Sequence, residues 1–136
     1  MLAQKVELKG EYIIEIRDHP NLVLGVADSS IGTRVTVQKM SLNPSGDPKQ
    51  LWKLAKLFNY FNFYFLKNVD SNLYMNLDGN SLIVTQREYT GNDDQWFWMD
   101  SINGLNATMI GNESEKRTMY LKFTDENNEP GLLIII

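Results

Sequence analysis

The sequence predicts an all-β domain built of three repeats, and three observations carry that prediction. Short runs rich in Val, Ile, Tyr, Phe and Trp recur between clusters of Asn, Asp, Gly and Pro, while helical periodicity is nearly absent. The segment Tyr12 to Val26 (YIIEIRDHPNLVLGV) lies without a gap over Phe63 to Leu77 (FYFLKNVDSNLYMNL). A glutamine followed two and four places later by large apolar residues stands at Gln50 and again at Gln95, 45 residues on.

In chain order, the opening Gln4-Lys5-Val6-Glu7-Leu8 carries the same marker pattern 46 residues ahead of Gln50. A marker one period after Gln95 would fall beyond Ile136, so this first strand is expected to complete the third repeat. Strands are then expected at Glu11 to Arg17, Leu22 to Val26, Arg34 to Lys39 and Leu51 to Leu57. The second series is Phe63 to Asn68, Leu73 to Leu77, Leu82 to Gln86 and Trp96 to Ser101, and the third Thr118 to Phe123 and Leu132 to Ile136. Turns at His19-Pro20-Asn21, Asn43-Pro44-Ser45-Gly46, Asp78-Gly79-Asn80 and Asn127 to Gly131 separate them through fixed proline φ or tolerated positive φ. Only Lys49 to Leu57 admits a helix as an alternative. Val35-Thr36-Val37-Gln38 matches Ile83-Val84-Thr85-Gln86 after a three-residue deletion. The repeats are bounded at about 10–54, about 61–99 and about 105–136 plus strand 4–8, within a single domain over 1–136.

Strand alternation assigns faces: Gln50, Trp52 and Leu54 point inward, as do Gln95, Phe97 and Met99, and Gln4, Val6 and Leu8. The glutamines are expected to satisfy buried backbone groups. Leu51, Lys53, Trp96 and Trp98 take the other face, where the two tryptophans are either covered by a hairpin or the N-terminus, or form a stacking platform. In the aromatic run Phe58 to Phe65, odd positions from Phe61 are expected in the core and Phe58, Tyr60 and Tyr64 at the surface.

Composition narrows the function. At 136 residues, 43% hydrophobic and 22% charged, the chain has the make-up of one folded domain. A net charge of -4 without a Lys/Arg cluster argues against nucleic acid. The absence of cysteine excludes disulfides and thiolate chemistry. The opening segment alternates charged and apolar residues, so no signal peptide and no membrane insertion are expected; compartment and oligomeric state stay open. His19 sits in a turn with no partnered nucleophile, and Asp93-Asp94 and Asp125-Glu126 lack calcium-loop spacing. The expectation is a non-enzymatic protein without cofactor or metal.

With period and markers in place, the sequence resembles the ricin B-type (R-type) β-trefoil lectin family, whose three repeats each end in Gln-x-Trp. Gly10-Glu11-Tyr12-Ile13-Ile14 looks like a repeat opening, Gln50-Leu51-Trp52 is the full marker, and Gln95-Trp96-Phe97 and Gln4-Lys5-Val6 are degraded forms. The resemblance implies a six-stranded barrel capped by three hairpins with pseudo-threefold symmetry. Closure suits the sequence, because without Val6 to Leu8 in the missing slot the apolar strand Leu132 to Ile136 would be an unprotected edge, so the two ends of the chain are expected to lie side by side.

In that family each sugar site uses an Asp in the second strand, an aromatic near the end of the third, and an Asn just before the marker Gln. Carried onto this chain, unit one has Gly25, Gln38 and Lys49, and unit three has Lys122, Ile135 and Ala3. Unit two keeps three polar groups, Asn76, Gln86 and Asp94, with Tyr74 or Trp96 as a candidate wall. The implied function is a carbohydrate-binding module with at most one retained site, its partner a galactose-type sugar or glycoconjugate. The alternative is a protein-binding trefoil, such as a protease inhibitor or toxin-associated subunit, using the loops Met40 to Lys49 and Asn103 to Lys116.

Overall fold

A computed structural model describes residues 2–8, 11–16, 21–56, 63–78, 83–101, 108–114, 117–124 and 132–135. Among them are twelve strands and no α-helix. Unit one comprises β2 (Glu11–Ile16), β3 (Leu22–Val26), β4 (Val35–Lys39) and β5 (Trp52–Lys56). Unit two comprises β6 (Phe63–Asn68), β7 (Tyr74–Asp78), β8 (Ile83–Arg87) and β9 (Phe97–Ser101). Unit three comprises β10 (Thr108–Ser114), β11 (Arg117–Thr124) and β12 (Leu132–Ile135), together with β1 (Leu2–Leu8) from the start of the chain.

Six strands close a ring. β1 pairs β2 from Ala3 opposite Ile16 to Leu8 opposite Glu11, β2 pairs β5, and β5 pairs β6. β6 pairs β9, β9 pairs β10, and β10 returns to β1 at Leu2 opposite Met109. The other six form the hairpins β3–β4, β7–β8 and β11–β12, which meet through Leu132 opposite Thr36, Ile134 opposite Ile83 and a bridge between Arg34 and Thr85. This is the β-trefoil. The closing strand is the N-terminal one, and it leaves no edge on the ring.

One expectation about elements needs correction, and one open alternative is decided in favour of the expected strand. The segment Asn103 to Lys116, read as a loop, contains β10; its Gly111 and Asn112 interrupt the apolar alternation that marks a strand. At Lys49 to Leu57 a 3-10 turn at Pro48–Gln50 leads straight into β5, so no helix forms.

The core joins barrel and hairpins: Ile14, Trp52, Leu66 and Phe97 pack with Leu24, Val26, Val35, Val37, Met75, Leu77 and Val84. Trp52 is fully buried and donates from Nε1 to the Leu24 carbonyl at 3.1 Å, tying barrel to hairpin. A satellite cluster outside the barrel wall holds Ile13, Val23 and Leu51, with Met40 and Val69 against it. Leu51 therefore lies buried, while Lys53 is exposed as expected.

In β6 the expected parity is reversed. Tyr64 packs on the main core and Leu66 is fully buried, whereas Phe63 and Phe65 are half-buried outside it. Tyr12 opposes Trp52 and Tyr64 opposes Phe97, so β2 and β6 correspond at an offset of 52 residues, one more than the ungapped alignment used. The connection after β6 is one residue shorter, and a one-residue slip turns every side chain to the other face. Met99, Trp98, Phe58, Tyr60, Phe61, His19, Gln4, Val6 and Leu8 have side chains outside the described residues.

Candidate functional site on the second unit

The marker glutamines act alike in units one and two. Gln50 donates from Nε2 to the Lys39 carbonyl at 2.8 Å, and its Oε1 accepts from the Ser41 amide at 2.9 Å. Gln95 donates to the Glu88 carbonyl at 2.9 Å and accepts from the Thr90 amide at 3.0 Å. Each glutamine side chain is buried and clamps the loop leaving the third strand by bonds to its backbone on both sides of the turn.

These clamps fix the true equivalence of the hairpins. Lys39 matches Glu88, an offset of 49, so the deletion between β4 and β8 is two residues and not three. Gln38 then matches Arg87, and Gln86 matches the core residue Val37. The β7–β8 register agrees: Tyr74 opposes Arg87, Asn76 opposes Thr85 and Asp78 opposes Ile83 on the outward face, while Met75 opposes Gln86 on the core face.

Gln86 thus lies across the sheet from Asn76. It is fully buried and committed to structure, donating at 2.9 Å to the carbonyls of both Asp28 and Ser30 and accepting at 2.7 Å from the Ser71 hydroxyl. Asn76 is on the side of β7 turned away from the main core, is itself buried at 5% exposure, and donates to Asp78 Oδ1 at 2.8 Å. The Thr85 hydroxyl donates to the same oxygen at 2.9 Å, and Arg87 pairs with Asp78 Oδ2 at 2.8 Å. Burial pushes the Asp78 carboxyl up, but the hydrogen bonds from Arg87, Thr85 and Asn76 outweigh it and hold it below the usual carboxylate range.

Asp94 enters from the 3-10 turn Asp93–Gln95, which packs against β7. Its carboxyl is pushed up by burial first, then by the charges of Asp93 and Asp78. Arg87 and Asp78 were not singled out in the sequence. The signal that finds Arg87 is the spacing to the marker clamp, since Lys39 and Glu88 follow Gln38 and Arg87 directly.

Aromatic side chains border this polar set. Tyr74 shares the outward face of β7 with Asn76, and its ring lies 5.4 Å from that of Tyr89 and 6.0 Å from that of Phe65. Trp96 is half-buried, donates to the Gly91 carbonyl at 3.2 Å and meets Phe63 edge-on at 6.3 Å. Of the five candidate residues, Tyr74 and Asn76 share one side of β7, Asp94 lies on the turn packed against that strand, Trp96 belongs to the adjoining aromatic set with Phe63, and Gln86 faces away.

Unit one is filled at the corresponding place. A Cβ on Gly25 would come within 2.5 Å of Gln38 Oε1 and 3.1 Å of Gln50 Cγ, and Gln38 Oε1 accepts from Gln50. The side chains of Lys122, Ile135 and Ala3 in unit three lie outside the described residues. Among the described residues, no group of three or more His, Cys, Asp or Glu is arranged to hold a metal.

No protein-family model and no curated protein matches the chain in sequence. Solved structures do match in fold. A Polyporus squamosus lectin bound to the human-type influenza-binding epitope Neu5Aca2-6Galb1-4GlcNAc is 16% identical with a TM-score of 0.66, over 99% of this chain and 43% of that one. The designed 3-fold symmetric protein ThreeFoil is 18% identical with a TM-score of 0.67, over 98% of this chain and 86% of that one. A mosquitocidal holotoxin is 17% identical with a TM-score of 0.74, over 96% of this chain and 16% of that one. The chain therefore spans less than half of the lectin and a small part of the toxin. At these identities the likeness defines the class of fold, a β-trefoil.

Proposed function

We propose that the chain is a non-catalytic, lectin-like carbohydrate-binding module of the ricin B type, its sugar site on the outward face of β7 and β8. The observation that carries this reading is the gathering of Asn76 and Arg87 on Asp78 beside Tyr74, with the turn that carries Asp94 packed against β7, at the place that unit one fills with Gln38. An amide, a guanidinium and carboxylates offer directed donors and acceptors to neighbouring hydroxyls, and a tyrosine ring suits the C–H face of a pyranose. The fold likeness to a lectin bound to a glycan epitope supports the class of ligand. A galactose-type sugar is the first candidate. On a glycan array, binding should disappear in Asn76→Ala and in Asp94→Ala; a silent array sinks the proposal.

A protein-binding role is the second reading. Leu42 is 99% exposed beside a groove of about 520 Å³ lined by Asn21, Leu22, Lys39, Met40 and Ser41. Recovery of one stable protein partner, lost in Leu42→Asp, would favour it.

A further inference from the structure

The satellite cluster of unit one has a counterpart in unit two, and every matched position changes character. Register and clamp equivalences match Ile13 with Phe65, Val23 with Tyr74, Met40 with Tyr89, and Leu51 with Trp96. In unit one these are aliphatic; Ile13, Val23 and Leu51 are buried, and Met40 packs on them. In unit two all four are aromatic; Phe65, Tyr74 and Trp96 are half-buried, and Tyr89 is 60% exposed.

Exposure here does not mean a loose ring. Tyr89 meets Phe65 at 5.3 Å and Tyr74 at 5.4 Å. It also lies against Gly91, whose φ of +75° and missing side chain let the Tyr89 hydroxyl approach to 3.1 Å of where a Cβ would stand. Trp96 holds the same turn through its bond to the Gly91 carbonyl. A large aromatic surface fixed by packing while open to solvent costs little ordering entropy when it binds.

The ledge is continuous with the polar face. Tyr74 is two residues from Asn76 on the same side of β7, about 7 Å at the rise of a strand. Arg87 stands opposite Tyr74 and bonds Asp78 with its guanidinium, and on the neighbouring strand Lys67 sits 5.7 Å from the Tyr74 ring centre. We infer that Tyr74 and Tyr89, backed by Phe65, form a second subsite that stacks the neighbouring residue of an oligosaccharide whose first residue is held at Asn76. This rests on the proposed sugar site and adds chain-length preference to it: the ligand class is an oligosaccharide with an apolar pyranose face next to the anchored residue.

The test is an array of matched probes: galactose with lactose and N-acetyllactosamine, glucose with maltose and cellobiose, mannose with mannobiose, and N-acetylglucosamine with chitobiose. The disaccharide should bind roughly three- to tenfold tighter than its monosaccharide, the range expected of one aromatic contact. Tyr89→Met, which installs unit one's residue and keeps bulk without a π face, should bring that ratio to near one with monosaccharide binding unchanged, and Tyr89→Phe should preserve it. Asn76→Ala should weaken monosaccharide and disaccharide together. Equal binding of both lengths by the wild type, or a ratio untouched in Tyr89→Met, overturns the second subsite and leaves the first standing. An array on which nothing binds overturns both.

Discussion

Asp94 and Asp78 carry opposite shifts, and this makes them separable by pH. Asp94 has its carboxyl raised by burial and then by Asp93, so the folded state holds that proton more tightly than the unfolded chain does. Its contribution is favourable below the unfolded carboxyl range, about 3.9, and is lost as pH rises through the folded value. Asp94→Asn should therefore stabilise the fold at pH 7, by less than about 1 kcal/mol for so accessible a group, with the gain fading toward pH 3. Asp78 is depressed by its hydrogen bonds, so its stabilisation is present above the unfolded range and lost as pH falls through the folded value. Asp78→Asn should lower stability at pH 7, and the deficit should shrink in acid. Melting curves from pH 3 to 8 decide both; parallel curves for wild type and variants would refute the assignment. Gln95 gives a sharper residue-scale test. Replacing it by Ala strands the Glu88 carbonyl and the Thr90 amide, at a cost of about 2–3 kcal/mol measurable by urea denaturation. The buried, backbone-satisfying role of Gln50 and Gln95 was legible in the sequence because both share one pattern. The role of Gln86 was not, since a buried glutamine and an exposed one read alike until the pairing register is known.

At the scale of elements, register decided which readings held. The marker strand β5 begins directly at Trp52, so alternation from Gln50 needed no alignment, and its inward set of Gln50, Trp52 and Leu54 agrees with the structure. β6 was read by alignment across a turn that is one residue shorter, and β8 across a tip that is two residues shorter. In each case the slip moved a whole strand's side chains to the wrong face. A mutational pair tests the corrected parity of β6. Tyr64→Ala removes a ring packed on the main core and should cost about 3 kcal/mol or more, whereas Phe65→Ala strips only the partly exposed cluster and should cost about 1 kcal/mol. Equal losses, or the reverse order, would restore the uncorrected register. β10 escaped notice for a different reason: Gly111-Asn112 in its middle breaks the apolar alternation, and the strand is held by pairing to β9, β11 and β1 rather than by local propensity.

For the whole molecule, closure depends on a strand that follows straight into one partner, β2, and meets the other, β10, from the far part of the chain. β1 lies between β2 and β10, with six registered positions against the first and two against the second. Removing residues 1–8 would leave both neighbours with an unpaired edge in place of a closed ring. At about 0.5–1.5 kcal/mol net per hydrogen bond, the loss is on the order of 5 kcal/mol, comparable with the entire stability of a small domain. The truncated chain should therefore fail to give a cooperative melt and should associate through the open edges on size-exclusion chromatography. A peptide spanning Leu2 to Leu8, added in excess, should restore the melt by mass action, with a midpoint that rises with peptide concentration. The marker arithmetic that assigned Gln4 to Leu8 to the third repeat foresaw the sixth barrel strand but not its neighbour: β1 lies beside β10, while Leu132 to Ile135 is paired by β11, β4 and β8 and not by the opening strand. A truncated chain that melts at the full-length temperature as a monomer would show that β2 and β10 need no partner between them, and that the threefold ring is not what holds the fold.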